Sequence, residues 1–154
     1  MSDLKTELKQ RQPFRSLGHE AHLSILRTAA ELEHAFESAL KPHGITATQY
    51  NVLRILRGAG PAGLCRNEIG ARMVRRVPDV TRLLDRMEDV KLIARERGGD
   101  DRRFVTTRIT AAGLKVLAAL DPVADEFADT VLGHLGDARL QTLVDLLGRV
   151  RGRT

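Results

Sequence analysis

Between residues 72 and 86, five arginines (Arg72, Arg75, Arg76, Arg82 and Arg86) stand against two acids, Asp79 and Asp85. A guanidinium is always charged and presents a planar fork of donors, so a stripe of them suits a polyanion. Arg102 and Arg103 follow, next to Asp100 and Asp101. The 154-residue chain carries a formal charge of +5, and residues 66–103 hold +3 of it, whereas residues 104–154 are neutral. The same residues also make an ordinary mixed-charge helix face in water, so charge alone leaves both readings open. With one Tyr, four Phe and no Trp, the chain has too few aromatic rings to stack on splayed single-stranded bases. Duplex nucleic acid is the better fit.

Other chemistry is sparse. His19 and His22 sit at i and i+3, where two imidazoles can share a metal, but no third ligand is evident. Solvated histidines are the simpler reading, and no metal or other cofactor is expected. Cys65 opens a short helix beside Arg66, surroundings that suit a reactive thiol, yet a single cysteine more often fills space as a small apolar group. It excludes an internal disulfide framework. Asp100 and Asp101 lie among arginines on a turn, a poor place to raise a carboxylate pKa. There is no Gly-rich phosphate loop and no nucleophile elbow, so the sequence does not read as an enzyme.

The elements that position the arginines follow from periodicity. Residues 1–12 are polar and read as a mobile arm. Leu17, Ala21, Ile25, Thr28, Leu32, Ala35 and Ala39 recur at steps of four and three and predict a long helix over 17–40, ended by Pro42 and Gly44. Thr46 and Gln49 fit a capping box for a helix to about Arg57, with Tyr50, Leu53 and Leu56 inward. A short helix near 65–73 buries Ile69 and Met73. Pro78 fits the first turn of the next helix, about 78–90, which buries Val80, Leu83, Leu84 and Met87 and exposes Asp79, Arg82, Asp85, Arg86 and Asp89. Then the period changes. Leu92–Arg97 and Phe104–Ile109 read as strands of a hairpin around Gly98-Gly99-Asp100. Thr110 is a candidate N-cap for a helix over 111–133, bent at Asp121-Pro122. Asp137 is a candidate cap for a last helix with Leu140, Leu143, Leu147 and Val150 along its seam.

This order predicts a mainly α fold with a small β-hairpin wing: a winged helix-turn-helix lobe over 45–110 flanked by long helices, 17–41 and 111–151. A helix about 10–12 Å across fits a major groove about 12 Å wide. Arginine on a hairpin tip can reach the neighbouring narrow groove. Asp79-Val80-Thr81-Arg82-Leu83-Leu84-Asp85-Arg86-Met87-Glu88 resembles the recognition helix of the MarR family of bacterial regulators, and Asp101-Arg102-Arg103-Phe104-Val105-Thr106-Thr107-Arg108-Ile109-Thr110 resembles its wing, with a D-x-R pattern at Asp101 and Arg103. The resemblance extends by helix order over about 17–150. It implies that Arg103 enters the minor groove, steadied by Asp101. Arg82 and Asp79 would face the major groove, with Pro78 and Thr81 at the start of the same helix. Arg75, Arg76, Arg86 and Arg102 would hold phosphates. The chain departs from the family pattern at Val74 and Arg76, where Gly and Ser are frequent, and in opening the helix with Pro78-Asp79.

The two long apolar-faced segments exceed what one small lobe needs and predict a homodimer, which suits a near-palindromic operator with half-sites ~34 Å apart. The resemblance further implies repression as the commoner mode. It also implies a small aromatic or phenolic effector in a crevice with His22, Leu26, Tyr50 and Leu53 as candidates, although these are equally good core residues. The chain has no long apolar run and MSDLKTELKQRQPF has no signal-type core, so a cytoplasmic protein with no membrane partner is expected. The competing reading is a winged-helix module that binds protein without specific DNA binding. Arginines on both helix and wing argue against it.

Overall fold

The computed structural model describes residues 3–98 and 104–152. A one-turn helix, α1 (Leu4–Glu7), is capped by Asp3 and falls within the stretch read as an arm. The first long stripe forms α2 (Leu17–Leu40). Ser16 starts it by accepting the His19 N–H at 3.1 Å, which satisfies one of the free donors of the first turn. The chain leaves α2 through a 3-10 turn containing Pro42 and ends on Gly44, whose φ of 68° favours a residue without a Cβ.

The capping box forms as the sequence requires. Gln49 N–H donates to Thr46 Oγ1 at 3.1 Å and Thr46 N–H to Gln49 Oε1 at 3.0 Å, which opens α3 (Ala47–Ala59). Tyr50, Leu53 and Leu56 are buried, together with Val52. The helix runs two residues beyond the expected Arg57, until Gly60-Pro61 stops it. Next come α4 (Arg66–Arg72) and α5 (Val80–Asp89). Here the structure corrects the reading of Pro78. Asp79 takes the cap, its Oδ1 accepting the Arg82 N–H at 2.9 Å, so Pro78 lies before the helix and not in its first turn. A carboxylate that satisfies a free N–H and meets the positive helix end outweighs the fit of proline at the first helical position.

Two antiparallel strands follow, β1 (Ile93–Arg97) and β2 (Val105–Ile109), with Ile93 opposite Ile109 and Arg97 opposite Val105. The far edge of β2 is also paired: Leu64 N–H donates to the Thr107 carbonyl at 3.0 Å and Thr107 N–H to the Leu64 carbonyl at 2.8 Å. Gly63 makes this approach possible, because a Cβ there would strike the Thr107 carbonyl.

Thr110 caps α6 (Ala111–Leu132) as expected, accepting the Gly113 N–H at 3.0 Å while its hydroxyl donates to the Lys91 carbonyl at 2.7 Å. Gly113 packs so closely on Leu92 that a side chain would run into the Leu92 carbonyl. α6 continues as one helix through Pro122. One residue before that proline, Asp121 receives a two-pronged contact from Arg57 of α3 at 2.7 and 3.0 Å. The last helix is α7 (Asp137–Val150). Its cap is Gly136, with no side-chain cap bond, and Asp137 is the first helical residue, where its charge still favours the positive helix end.

One core joins these elements. Leu40, Leu53, Leu56, Ile69, Leu84, Met87, Ile93, Leu117 and Leu120 are almost wholly buried. Phe36 joins this core, edge-on to the Tyr50 ring at 5.5 Å and tilted against Phe127 at 5.0 Å. The terminal helices are different. Leu40 is the only buried residue of α2, and α7 has none. Leu17 is 82% exposed, Val144 60% and Val150 71%. No helix among the described residues is long and apolar enough to cross a membrane.

Candidate nucleic-acid interface

Two short helices joined by a turn and followed by a hairpin place the predicted cations. The turn after α4 is held at Val74, whose N–H donates to Asn51 Oδ1 of α3 at 2.9 Å, leaving its side chain outside. Arg75 and Arg76 are therefore both exposed. Arg75 reaches Glu33 of α2 at 3.3 Å, a solvent-exposed pair of small energetic consequence. Arg76, Arg82 and Arg86 make no ion pair with any described residue. Arg82 and Arg86 are one turn apart on the exposed side of α5, so both can address the same surface.

Asp79 and Pro78 are exposed as well. The Asp79 carboxylate is engaged by the Arg82 N–H, which leaves its second oxygen available. Thr81 is held from α4: Arg66 donates to its hydroxyl at 2.9 Å. Asp101, Arg102 and Arg103 lie outside the described residues. The strands that lead to them, β1 and β2, are fixed as set out above. On the helical side His22 and Leu26 are exposed on α2, whereas Tyr50 and Leu53 belong to the core. Burial pushes the Tyr50 phenol up from its ordinary pKa. A cavity of about 370 Å³ lies elsewhere, between α4, α5 and the hairpin, lined by Cys65, Arg66, Thr81, Leu84, Arg95 and Phe104 among others.

The sequence reading missed two arginines that organise this surface, Arg66 and Arg95. Arg66 opens α4, and Glu68 of the same helix reaches back to accept the Cys65 N–H at 2.8 Å, which holds that carboxyl below its ordinary range. Arg95 is the more buried, with 22% of its side chain exposed. A signal for it existed. Strand alternation puts Arg95 on the same face as buried Ile93, and an inward-facing cation needs carboxylate partners. It finds Asp85 at 2.6 Å and Glu88 at 2.9 Å, both on α5.

Fold and surface together define a winged helix-turn-helix protein. The MarR family model matches residues 45–105, the lobe that contains this surface. A solved MarR transcription factor from Planctomyces limnophilus is 36% identical, with a TM-score of 0.69, over 88% of this chain and 98% of that one. The Mycobacterium tuberculosis regulator MosR, solved in complex with DNA, is 26% identical with a TM-score of 0.67, over 86% of this chain and 96% of that one. The HTH-type transcriptional regulator FarR of Neisseria gonorrhoeae is 25% identical over 90% of this chain and 93% of its own length. The chain belongs to the MarR family of transcriptional regulators.

Proposed function

We propose that this regulator binds duplex DNA as a homodimer at a near-palindromic operator and represses transcription by occupying it. The observation that carries the reading is the exposed face of α5, where a capped helix start presents Arg82 and Arg86 without an ion pair to any described residue. Such a face can enter a major groove, with Arg82, Thr81, Pro78 and Asp79 near base edges and Arg75, Arg76 and Arg86 at phosphates. Arg103 of the wing, with Asp101 beside it, takes the neighbouring minor groove, and Arg102 a phosphate. The likeness to MosR, solved with DNA, supports the same reading.

Residues 45–110 form the DNA-binding lobe, and 17–41 with 111–151 form the dimer contact. The uncovered apolar side chains of α2 and α7 support this division. A small aromatic or phenolic effector, held between dimer helices and lobe near His22, Leu26, Tyr50 and Leu53, would change the spacing of the two recognition helices. It acts only through its differential affinity for the two spacings. In the single chain Tyr50 and Leu53 are already packed, so such a site is completed at the dimer contact.

The test is fluorescence anisotropy with duplex DNA from the region upstream of the protein's own coding sequence, across a salt series, beside a scrambled duplex. Specific binding with a steep negative salt slope supports the reading. A selection from a genomic DNA pool that yields no preferred sequence would overturn it and favour a protein-binding winged helix. A panel of phenols that leaves operator affinity unchanged would remove the effector from the proposal.

A further inference from the structure

The charges of α5 are sorted by face. At 100° per residue, Thr81, Asp85 and Glu88 form one stripe, and Arg82, Arg86 and Asp89 form the next. The first stripe faces the hairpin, and its polar groups are engaged by two arginines from other elements. Arg66 of α4 holds Thr81 at 2.9 Å. Arg95 of β1 holds both Asp85, at 2.6 Å, and Glu88, at 2.9 Å, from the same nitrogen. Glu88 closes a third bond, its Oε2 accepting the backbone N–H of Arg95 at 3.1 Å. The guanidinium beside it holds the Glu88 carboxyl below its ordinary range. Asp85 and Glu88 lie one turn apart on α5, so three bonds from one strand residue fix both the position of β1 and its direction relative to the helix.

We propose that Arg95 is a positioning residue for DNA discrimination: it sets the angle between recognition helix and wing and turns the acidic edge of α5 away from the phosphates. This rests on the DNA-binding reading above. Two reading heads are useful together only if their spacing is fixed before they meet the duplex, since ordering them on binding costs affinity for the correct site. The hairpin is already held by the Leu64–Thr107 pairing and by Ile93 in the core, and the clamp adds the side-chain tie that runs directly from β1 to α5. The clamp also explains why a helix with four acids from its cap to its last residue, Asp79, Asp85, Glu88 and Asp89, can face a polyanion: two of them, Asp85 and Glu88, are paired on the side facing the hairpin.

Replacing both acids by alanine, Asp85→Ala with Glu88→Ala, separates clamp from charge. The change makes the protein more positive by two and favours helix. If the acids act only as charge, affinity for every duplex rises and the preference for operator over scrambled DNA is kept. The clamp predicts instead that affinity for scrambled DNA rises while the operator preference falls about tenfold. An unchanged or larger preference, in a variant whose circular dichroism melt remains cooperative, would overturn the proposal. Asp85→Ala alone is the milder variant should the pair fail to fold, with a smaller fall expected.

Hydrogen exchange on the free protein gives the second arm. Amides of β1 should exchange about tenfold faster in the double variant, with α3 and α6 unchanged. Unchanged β1 protection would also overturn the clamp. If the wild-type protein prefers no duplex at all, the DNA-binding reading fails, and this second arm still decides whether Arg95 fixes the hairpin.

Discussion

The helices that flank the lobe between Ile45 and Thr110 are richer in apolar residues than the lobe, yet they bury fewer of them. Within the lobe each helix buries its stripe against another element of the same chain, and caps, Gly63 and Gly113 allow close approach. In α7, and in α2 before Leu40, no apolar residue is fully buried within the chain. The difference teaches that a periodic apolar face specifies a helix and a buried side, but not whose residues cover it. The lobe is complete in one chain. The flanking helices are one half of a contact whose other half we assign to a second copy.

The largest expected effect lies inside the lobe. Leu53→Ala should cost about 2–5 kcal/mol in urea unfolding, because Leu53 is wholly buried and a cavity would remain. A cost near zero would break the comparison from the lobe side. Val144→Asp on α7 tests the other side. It should leave the helical signal intact yet weaken the dimer by roughly 2–4 kcal/mol, as a charge must then be desolvated at the contact. Sedimentation equilibrium reads this directly, and an unaltered dimer would place the contact elsewhere.

Smaller effects sharpen the picture within the lobe. Arg82→Ala should weaken operator binding by ~1–3 kcal/mol with little change in stability, since Arg82 is exposed and the proposed duplex would be its partner. Asp79→Ala should cost about 1 kcal/mol of stability through the lost cap, and DNA affinity should follow as the start of α5 frays. The smallest effect is in pH. Arg57 holds the Asp121 carboxyl below its ordinary range, chiefly through the hydrogen bond. A depressed carboxylate stabilises the fold above its unfolded pKa and loses that contribution as pH falls through the folded value. Asp121→Asn should therefore flatten the stability profile below pH ~5, by less than about 1 kcal/mol because both partners are partly exposed.

Much of this architecture was legible in the residues. The helix over 17–40, the Thr46–Gln49 box, the Thr110 cap and the hairpin formed where period and turn chemistry placed them, since each rests on local preferences that the packing reinforces. Pro78 and Asp137 were misplaced within their helix starts: the capping bond of Asp79 starts α5 after Pro78, and Gly136 takes the cap position one residue before Asp137. Of the candidate surface, Arg82 and Arg86 were legible as exposed cations from the helical repeat, and Arg76 from the basic run that precedes the helix. Arg95 was not. Its role depends on Asp85 and Glu88 lying on a different element, a relation set by how β1 lies along α5. Alternation showed only that the side chain turns inward. The wing residues Asp101, Arg102 and Arg103 remain assigned by resemblance.

Hydroxyl-radical footprinting of the protein on a selected operator tests the central claim, a homodimer that places two α5 helices in successive major grooves, most directly. The account predicts two protected patches related by a dyad, with centres about 10–10.5 base pairs apart or a multiple of that. Arg82→Ala should weaken both patches equally. A single unpaired patch at saturating protein, or protection with no dyad, would contradict it.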